Sequence, residues 1–262
     1  SDRSRAEILV RLVKHYGKTG SPVQAAELAQ RLTVVYAETD LADVQIGKAA
    51  DEFVRDDADT ARFNGYELGH RLIKSLIANH GQQCYAAFDA GAEADLAAAV
   101  AADDPDAMVR VTDTYRHSTW APMALLRAAE SCYRRAMQAD EEARREPLGL
   151  AGRCLGRIGR EYPASGLSAS ARVGLAMIYQ QMNRRVVWLA LQGLEDYPDE
   201  AAVAFADLSG SVADVLKRFE SHRRIHRPAP PVLPGPINPP LEKLFAADEP
   251  ALILRRADSQ PV

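Results

Sequence analysis

Residues 122–137 read PMALLRAAESCYRRAM. Leu125, Leu126, Ala129, Tyr133 and Met137 recur at the three- and four-residue steps of one helix face. The spacing predicts a helix from about Pro122 to Arg145, with Glu141, Glu142, Arg144 and Arg145 as its solvated end. The same period extends outward in both directions. Upstream, Asp104-Pro105 starts a helix through Met108, Val109, Val111 and Tyr115. Before it, alanine dominates from Ala86 to Ala102, which favours helix and lets helices approach closely. Earlier still, Tyr66 to Ile77 carries Leu68, Leu72, Ile73 and Leu76. Asp40 opens a helix through Val44, Ile46 and Phe53, followed by an acidic loop from Arg55 to Asn64. At the start, Ile8, Leu9, Leu12 and Val13 mark a helix from Arg5 to Tyr16 that Gly17 and Gly20 stop. Ser21 then sits at an N-cap with Pro22 at the first helical position, and Leu28, Leu32 and Val35 follow.

Downstream, Leu148–Tyr162 and Ser168–Met182 read as helices around a turn at Pro163–Gly166. Val186–Tyr197 is apolar on every side, the pattern of a buried or interface helix. Glu200–Arg227 is expected as a last long helix, interrupted at Gly210. Strand signals are thin, because period-two alternation never holds for long. After Arg227 the composition changes: prolines stand at 228, 230, 231, 234, 236, 239 and 240. Repeated proline forbids helix and favours an extended arm. The expected fold is all-α, with about nine or ten helices. Its parts are an N-terminal helical subdomain (1–80), a central and C-terminal helical subdomain (81–227) and an extended arm (228–262).

The chain has 262 residues, 47% hydrophobic and 26% charged, which excludes disorder of the whole chain. No run reaches the ~20 apolar residues of a membrane-spanning helix. The net charge is −4 and the pI about 5.9, so a strongly basic nucleic-acid binder is excluded while a local basic patch is not. Cys84, Cys132 and Cys154 are too scattered for a disulfide framework and read as reduced thiols in the core. The charged start, Ser1 to Tyr16, does not read as a signal peptide, so virion or cytoplasm is the expected location.

Signs of catalysis are weak. No Gly-x-Ser-x-Gly elbow or Gly-Lys-Ser/Thr phosphate loop occurs. His222 and His226 share a helix face, but Arg223, Arg224 and Arg227 would repel a cation; the histidines at 15, 70, 80 and 117 read as isolated. Gly149, Gly152, Gly156 and Gly159 share one helix face, which reads as close helix packing. Asp56-Asp57 and Asp103-Asp104 read as solvated loop acids. No metal and no cofactor is expected. Arginine pairs are the stronger signal, since guanidinium forks onto phosphate. Arg134, Arg135, Arg184, Arg185, Arg223, Arg224 and Arg227 are the expected phosphate contacts. Few stacking aromatics accompany them, so contact with RNA or DNA should be sequence-independent and salt-sensitive. Trp188, Pro230, Pro231, Pro239, Pro240, Leu241, Leu244 and Phe245 are the expected self-association contacts.

Three resemblances add to this reading. Ala25 to Leu32 (AAELAQRL) resembles the first helix of a bacterial helix-turn-helix. Arg62-Phe63 and Tyr66-Glu67-Leu68 resemble a motif in the small helical domain of phage replicative-helicase loaders. A longer series is similar to the matrix protein of influenza-type viruses. It runs through Ser21-Pro22, Ala26 to Leu32, Asp40-Leu41, Asp104-Pro105, Met108, Tyr115-Arg116 and Cys132-Tyr133-Arg134-Arg135-Ala136-Met137. That resemblance implies an all-helical, self-associating virion component. The expectation is thus a non-enzymatic assembly protein, a homo-oligomer of capsid, nucleocapsid or matrix type that touches nucleic-acid phosphate. The alternative is a bacterial or phage DNA-binding or replication-accessory protein using residues 21–55.

Overall fold

Ser1 begins the first helix, α1 (Asp2–Lys18), by accepting the Ser4 amide at 3.3 Å. Its apolar stripe buries Ala6, Leu9, Val10 and Val13. A turn through Gly20, whose φ of +82° suits glycine, leads to α2 (Pro22–Val35). Ser21 stands where expected, but its hydroxyl makes no capping bond, so the start of α2 rests on Pro22 alone. These elements come from a computed structural model of the chain, which describes residues 1–41, 63–182 and 186–220. Of the helix expected from Asp40 through Phe53 only Asp40 and Leu41 are described, and Asp40 forms a β-bridge with Asn64 instead of opening a helix; the rest of it and the proline-rich stretch from Pro228 lie outside the described residues.

Asn64 caps α3 (Gly65–His80), accepting the Glu67 amide at 2.9 Å. Helices α2 and α3 cross at very short range. A Cβ on Gly65 would overlap the Tyr36 carbonyl oxygen, and one on Gly69 would lie 2.9 Å from the Ala29 carbonyl oxygen. With α1 and a 3-10 turn at Gln82–Tyr85, these helices enclose one core, from Ala6 to Tyr85.

A second core runs from Ala92 to Phe219. It is built by α4 (Ala86–Ala101), α5 (Pro105–Thr114), α6 (Ala121–Gln138), α7 (Arg145–Glu161), α8 (Ser168–Gln181) and α9 (Val187–Gln192). An antiparallel hairpin, β1 (Ala202–Phe205) and β2 (Leu208–Ser211), and a last helix, α10 (Val212–Arg218), close it. The molecule is mostly helical, with ten α-helices and this one small sheet among the described residues.

Expectations are corrected at four further places, the first covering both the end of one helix and the start of the next. The helix expected from Pro122 to Arg145 stops at Gln138. Arg144 folds back and donates to the carbonyls of Ala136 at 3.1 Å and Ala139 at 3.2 Å. Asp140 accepts the Ala143 amide, and α7 starts at Arg145 rather than at Leu148. The helix expected over Val186–Tyr197 ends at Gln192, with the Arg172 guanidinium packed over Gly193. The glycine face of α7 does not mediate close packing: a Cβ on Gly152 or Gly159 meets nothing within 4 Å.

The fourth correction is the largest. Residues 202–211 form the hairpin, not the front of a long helix. Val203 and Phe205 alternate inward with Ala202 and Ala204 outward, a short period-two signal that a helix-length window averages away. Phe205 pairs with Leu208 across a two-residue turn, Ala206-Asp207. Ser211 and Asp214 then form a reciprocal capping box that restarts helix. Ala206 holds a φ of +53°, which an L side chain resists. Replacing Ala206 by glycine should therefore raise unfolding free energy by about 1 kcal/mol, read as a higher urea midpoint with an unchanged slope.

Candidate functional site

The seam between the two cores is polar. Gln30 on α2 is buried; its amide donates to the Thr114 carbonyl at 2.6 Å, and its oxygen accepts the Tyr85 hydroxyl at 2.7 Å. Gln82 donates to the His117 carbonyl at 3.1 Å and to Asp89 at 3.0 Å. Asp89 also accepts the Thr119 amide at 2.8 Å. Gln30, Gln82 and Asp89 each find a partner on another segment, which fixes how the cores meet.

Two histidines close the seam. His70 on α3 and His117, in the turn between α5 and α6, approach to 3.1 Å through Nδ1 and Nε2. They are therefore not isolated, as their sequence positions suggested. Tyr66 packs edge-on against His70, with ring centroids 4.3 Å apart. Burial pushes the His70 imidazole down to about 4, assisted by Arg116 and opposed by Glu161. Burial, His70, Arg116 and Lys74 push His117 down to about 3. Both rings are thus neutral at pH 7, and one proton serves the bond between them. The Nε2 of His70 is buried and has no hydrogen-bond partner.

The unfolded chain takes up these two protons near pH 6.5, before the folded chain does. Stability is then fully present above about pH 6.5 and falls as pH drops toward 4. At pH 4.5 the loss from the two histidines together should be on the order of 5 kcal/mol. Denaturant midpoints measured from pH 7.5 to 4.5 check this, and His117→Gln should flatten the profile.

The histidine pair lies at the wall of a cleft of about 1200 Å³. Helix α3 supplies Arg71 and Lys74, the α5–α6 turn supplies Arg116, and the end of α7 supplies Arg160. The cleft's carboxylate, Glu161, is engaged by Arg116 at 3.4 Å and by Arg157 at 3.0 Å. Arg157 also bonds Asp113 at 2.9 Å. The Tyr162 hydroxyl donates to the Arg116 carbonyl at 2.9 Å and fixes that turn. Among the described residues, no carboxylate pairs with Lys74 or Arg160, and Arg71 lies 4.2 Å over the Phe63 ring. Trp120 and Met123 add apolar surface to the lining. The cleft therefore presents four cations against one carboxylate that is already shared.

No family model, no curated protein and no solved structure matches this chain. The site is accordingly read from its own chemistry.

Those of the residues singled out from sequence that are described fall elsewhere. Arg134 and Arg135 lie exposed on α6 and both engage Asp103, Arg134 at 3.3 Å and Arg135 at 3.5 Å. Ser131 donates to the same carboxylate at 2.7 Å, and with these arginines it holds the Asp103 carboxyl below the usual range. Asp103 and Asp104 are not merely solvated loop acids: Asp104 caps α5 by accepting the Ala107 amide at 3.0 Å. Trp188 lies half-buried on α9, beside the exposed Leu189. Arg184, Arg185, Arg223, Arg224, Arg227, Pro230, Pro231, Pro239, Pro240, Leu241, Leu244 and Phe245 lie outside the described residues, as do His222 and His226. The three cysteines are buried free thiols, and burial pushes Cys132 up to about 11 and Cys154 up to about 12. Among the described residues no three His, Cys, Asp or Glu converge as metal ligands, and no helix is long and apolar enough to cross a membrane.

The cleft residues carried one faint sequence signal. His70 and Lys74 are four apart and Arg71 and Lys74 three apart, so α3 offers a basic edge. Nothing local reveals that residues 116–120 and 160–167 fold against it.

Proposed function

We propose that this protein is a non-catalytic helical subunit that holds the phosphate backbone of single-stranded nucleic acid in the basic cleft. The carrying observation is the convergence of Arg71, Lys74, Arg116 and Arg160 from three separate segments on one concavity. Three of them, Arg71, Lys74 and Arg160, have no carboxylate partner among the described residues, and Arg116 shares Glu161 with Arg157, a balance that favours a polyanion. A cleft of about 1200 Å³ suits a single strand and is far too small to enclose a duplex. The absence of catalysis in this reading is supported by Glu161, which is held by two arginines, and by the raised pKa values of Cys132 and Cys154. Neutral histidines without a free carboxylate beside them make a poor general acid–base pair.

Self-association belongs to the same proposal. Leu189 is 50% exposed next to Trp188 on the short helix α9, an apolar surface that a second copy would cover. A coat, nucleocapsid or matrix-type subunit is a setting that uses both properties. Leu189→Asp should lower the mass of the full chain measured by light scattering; an unchanged mass would remove α9 from the interface.

The binding reading is tested by fluorescence anisotropy of a labelled single strand of about 20 nucleotides, titrated with the full chain at several salt concentrations. Four phosphate contacts at about −0.7 each predict a slope of log K against log salt near −3. A flat salt dependence, or no binding at low salt, would overturn it.

A further inference from the structure

Among the described residues, two buried side-chain polar atoms have no hydrogen-bond partner, His70 Nε2 and Ser165 Oγ, and both residues line the same cleft. They come from different elements, α3 and the turn between α7 and α8. His70 is 7% exposed. An orphaned buried polar atom costs about 1–3 kcal/mol, and native proteins satisfy the great majority of such groups. Both atoms lie beneath the cleft surface, and two orphans behind one lining point to a ligand whose entry uncovers and satisfies both.

Phosphate alone does not account for the whole lining. The His70 ring is neutral at pH 7 and a hydroxyl is uncharged, so each offers an ordinary hydrogen bond below the cationic rim. Beside them stands the half-buried Trp120, an aromatic surface that a pure phosphate track would not need. A ligand matching all three features carries an anionic group, a flat π-face and a polar edge. We propose that the cleft seats one unstacked nucleotide, with its base on Trp120, its polar edge toward His70 and Ser165, and its phosphate on Arg71, Lys74 and Arg160. This rests on the reading of the cleft as a phosphate-binding site and adds recognition of the base. At about 1200 Å³ the cleft exceeds the usual ~300–1000 Å³ of small-ligand sites and leaves room for a flanking phosphate.

The test compares a labelled oligodeoxyadenylate of about ten residues with an abasic strand of equal length and label, at one salt concentration, using the full chain. AMP serves as competitor. Base stacking worth about 1–3 kcal/mol predicts that the base-bearing strand binds at least about tenfold tighter. Trp120→Leu should reduce that preference to about twofold and leave abasic affinity unchanged. Ser165→Ala removes an orphan hydroxyl and should keep the fold, so it carries the test if Trp120→Leu fails to fold; it should reduce the preference about threefold. Displacement by AMP together with a tenfold preference supports a free nucleotide as well as one within a strand. Preference without displacement supports the strand form. Equal affinity for both strands with no effect of AMP overturns the inference and leaves the phosphate reading standing. Binding of AMP without either strand keeps the nucleotide site and removes the strand. No binding of any probe overturns both.

Discussion

A chain carrying Arg71→Glu, Lys74→Glu and Arg160→Glu together is expected to bind single-stranded nucleic acid at least about 100-fold more weakly near physiological salt. All three side chains are exposed, and no described carboxylate pairs with Lys74 or Arg160. Reversing them therefore breaks no described ion pair and should change unfolding free energy by less than about 1 kcal/mol. The effect on binding is large because each site loses an attraction and gains a repulsion within one cavity. The contrasting variant, Arg134→Glu with Arg135→Glu, removes two partners of Asp103 at the α4–α5 turn. Asp103 there holds a φ of +45°, so the turn depends on that support. This variant should lose about 1 kcal/mol of stability and keep its affinity within about twofold. Anisotropy and urea titrations on the two variants separate the roles, and the reverse pattern would move the binding site to α6.

Replacing Gly65 by alanine should destabilise the fold by about 3 kcal/mol or more. The added methyl would occupy the space of the Tyr36 carbonyl oxygen, which is backbone and cannot rotate away. Gly69→Ala meets the Ala29 carbonyl oxygen at 2.9 Å and the Thr33 amide nitrogen at 3.1 Å, and should cost somewhat less. Both changes push α3 off α2. Since α3 carries His70, Arg71 and Lys74, the cleft should loosen with the core, and affinity should fall along with the urea midpoint. Gly152→Ala on α7 is the control: its Cβ meets nothing within 4 Å, and the helix gains propensity, so stability should hold or rise by about 0.5–1 kcal/mol.

The helical architecture was legible because its signals are local. Pro22 and Asp104-Pro105 mark helix starts, and stripes such as Leu125, Ala129 and Tyr133 mark buried faces. The hairpin at 202–211 escaped because four-residue strands give only two alternations each, and Ala202 and Ala204 favour helix by propensity. The break after Gln138 escaped because Arg144 stops that helix by a tertiary reach back to its last carbonyls, which no periodicity encodes. The site was almost illegible. Its cations are spread from residue 71 to residue 160, and the arginine pairs that looked most like phosphate contacts include Arg134 and Arg135, already occupied by Asp103. A pairing of His70 with His117 across 47 positions is likewise a property of the folded chain alone.

The most direct test is hydrogen–deuterium exchange of the full chain with and without a single-stranded oligonucleotide. Protection is expected in peptides covering 66–78, 114–122 and 157–168, the three segments that meet at the cleft. Protection confined to the α6 face around Arg134 and Arg135, with those three segments unchanged, would contradict the account.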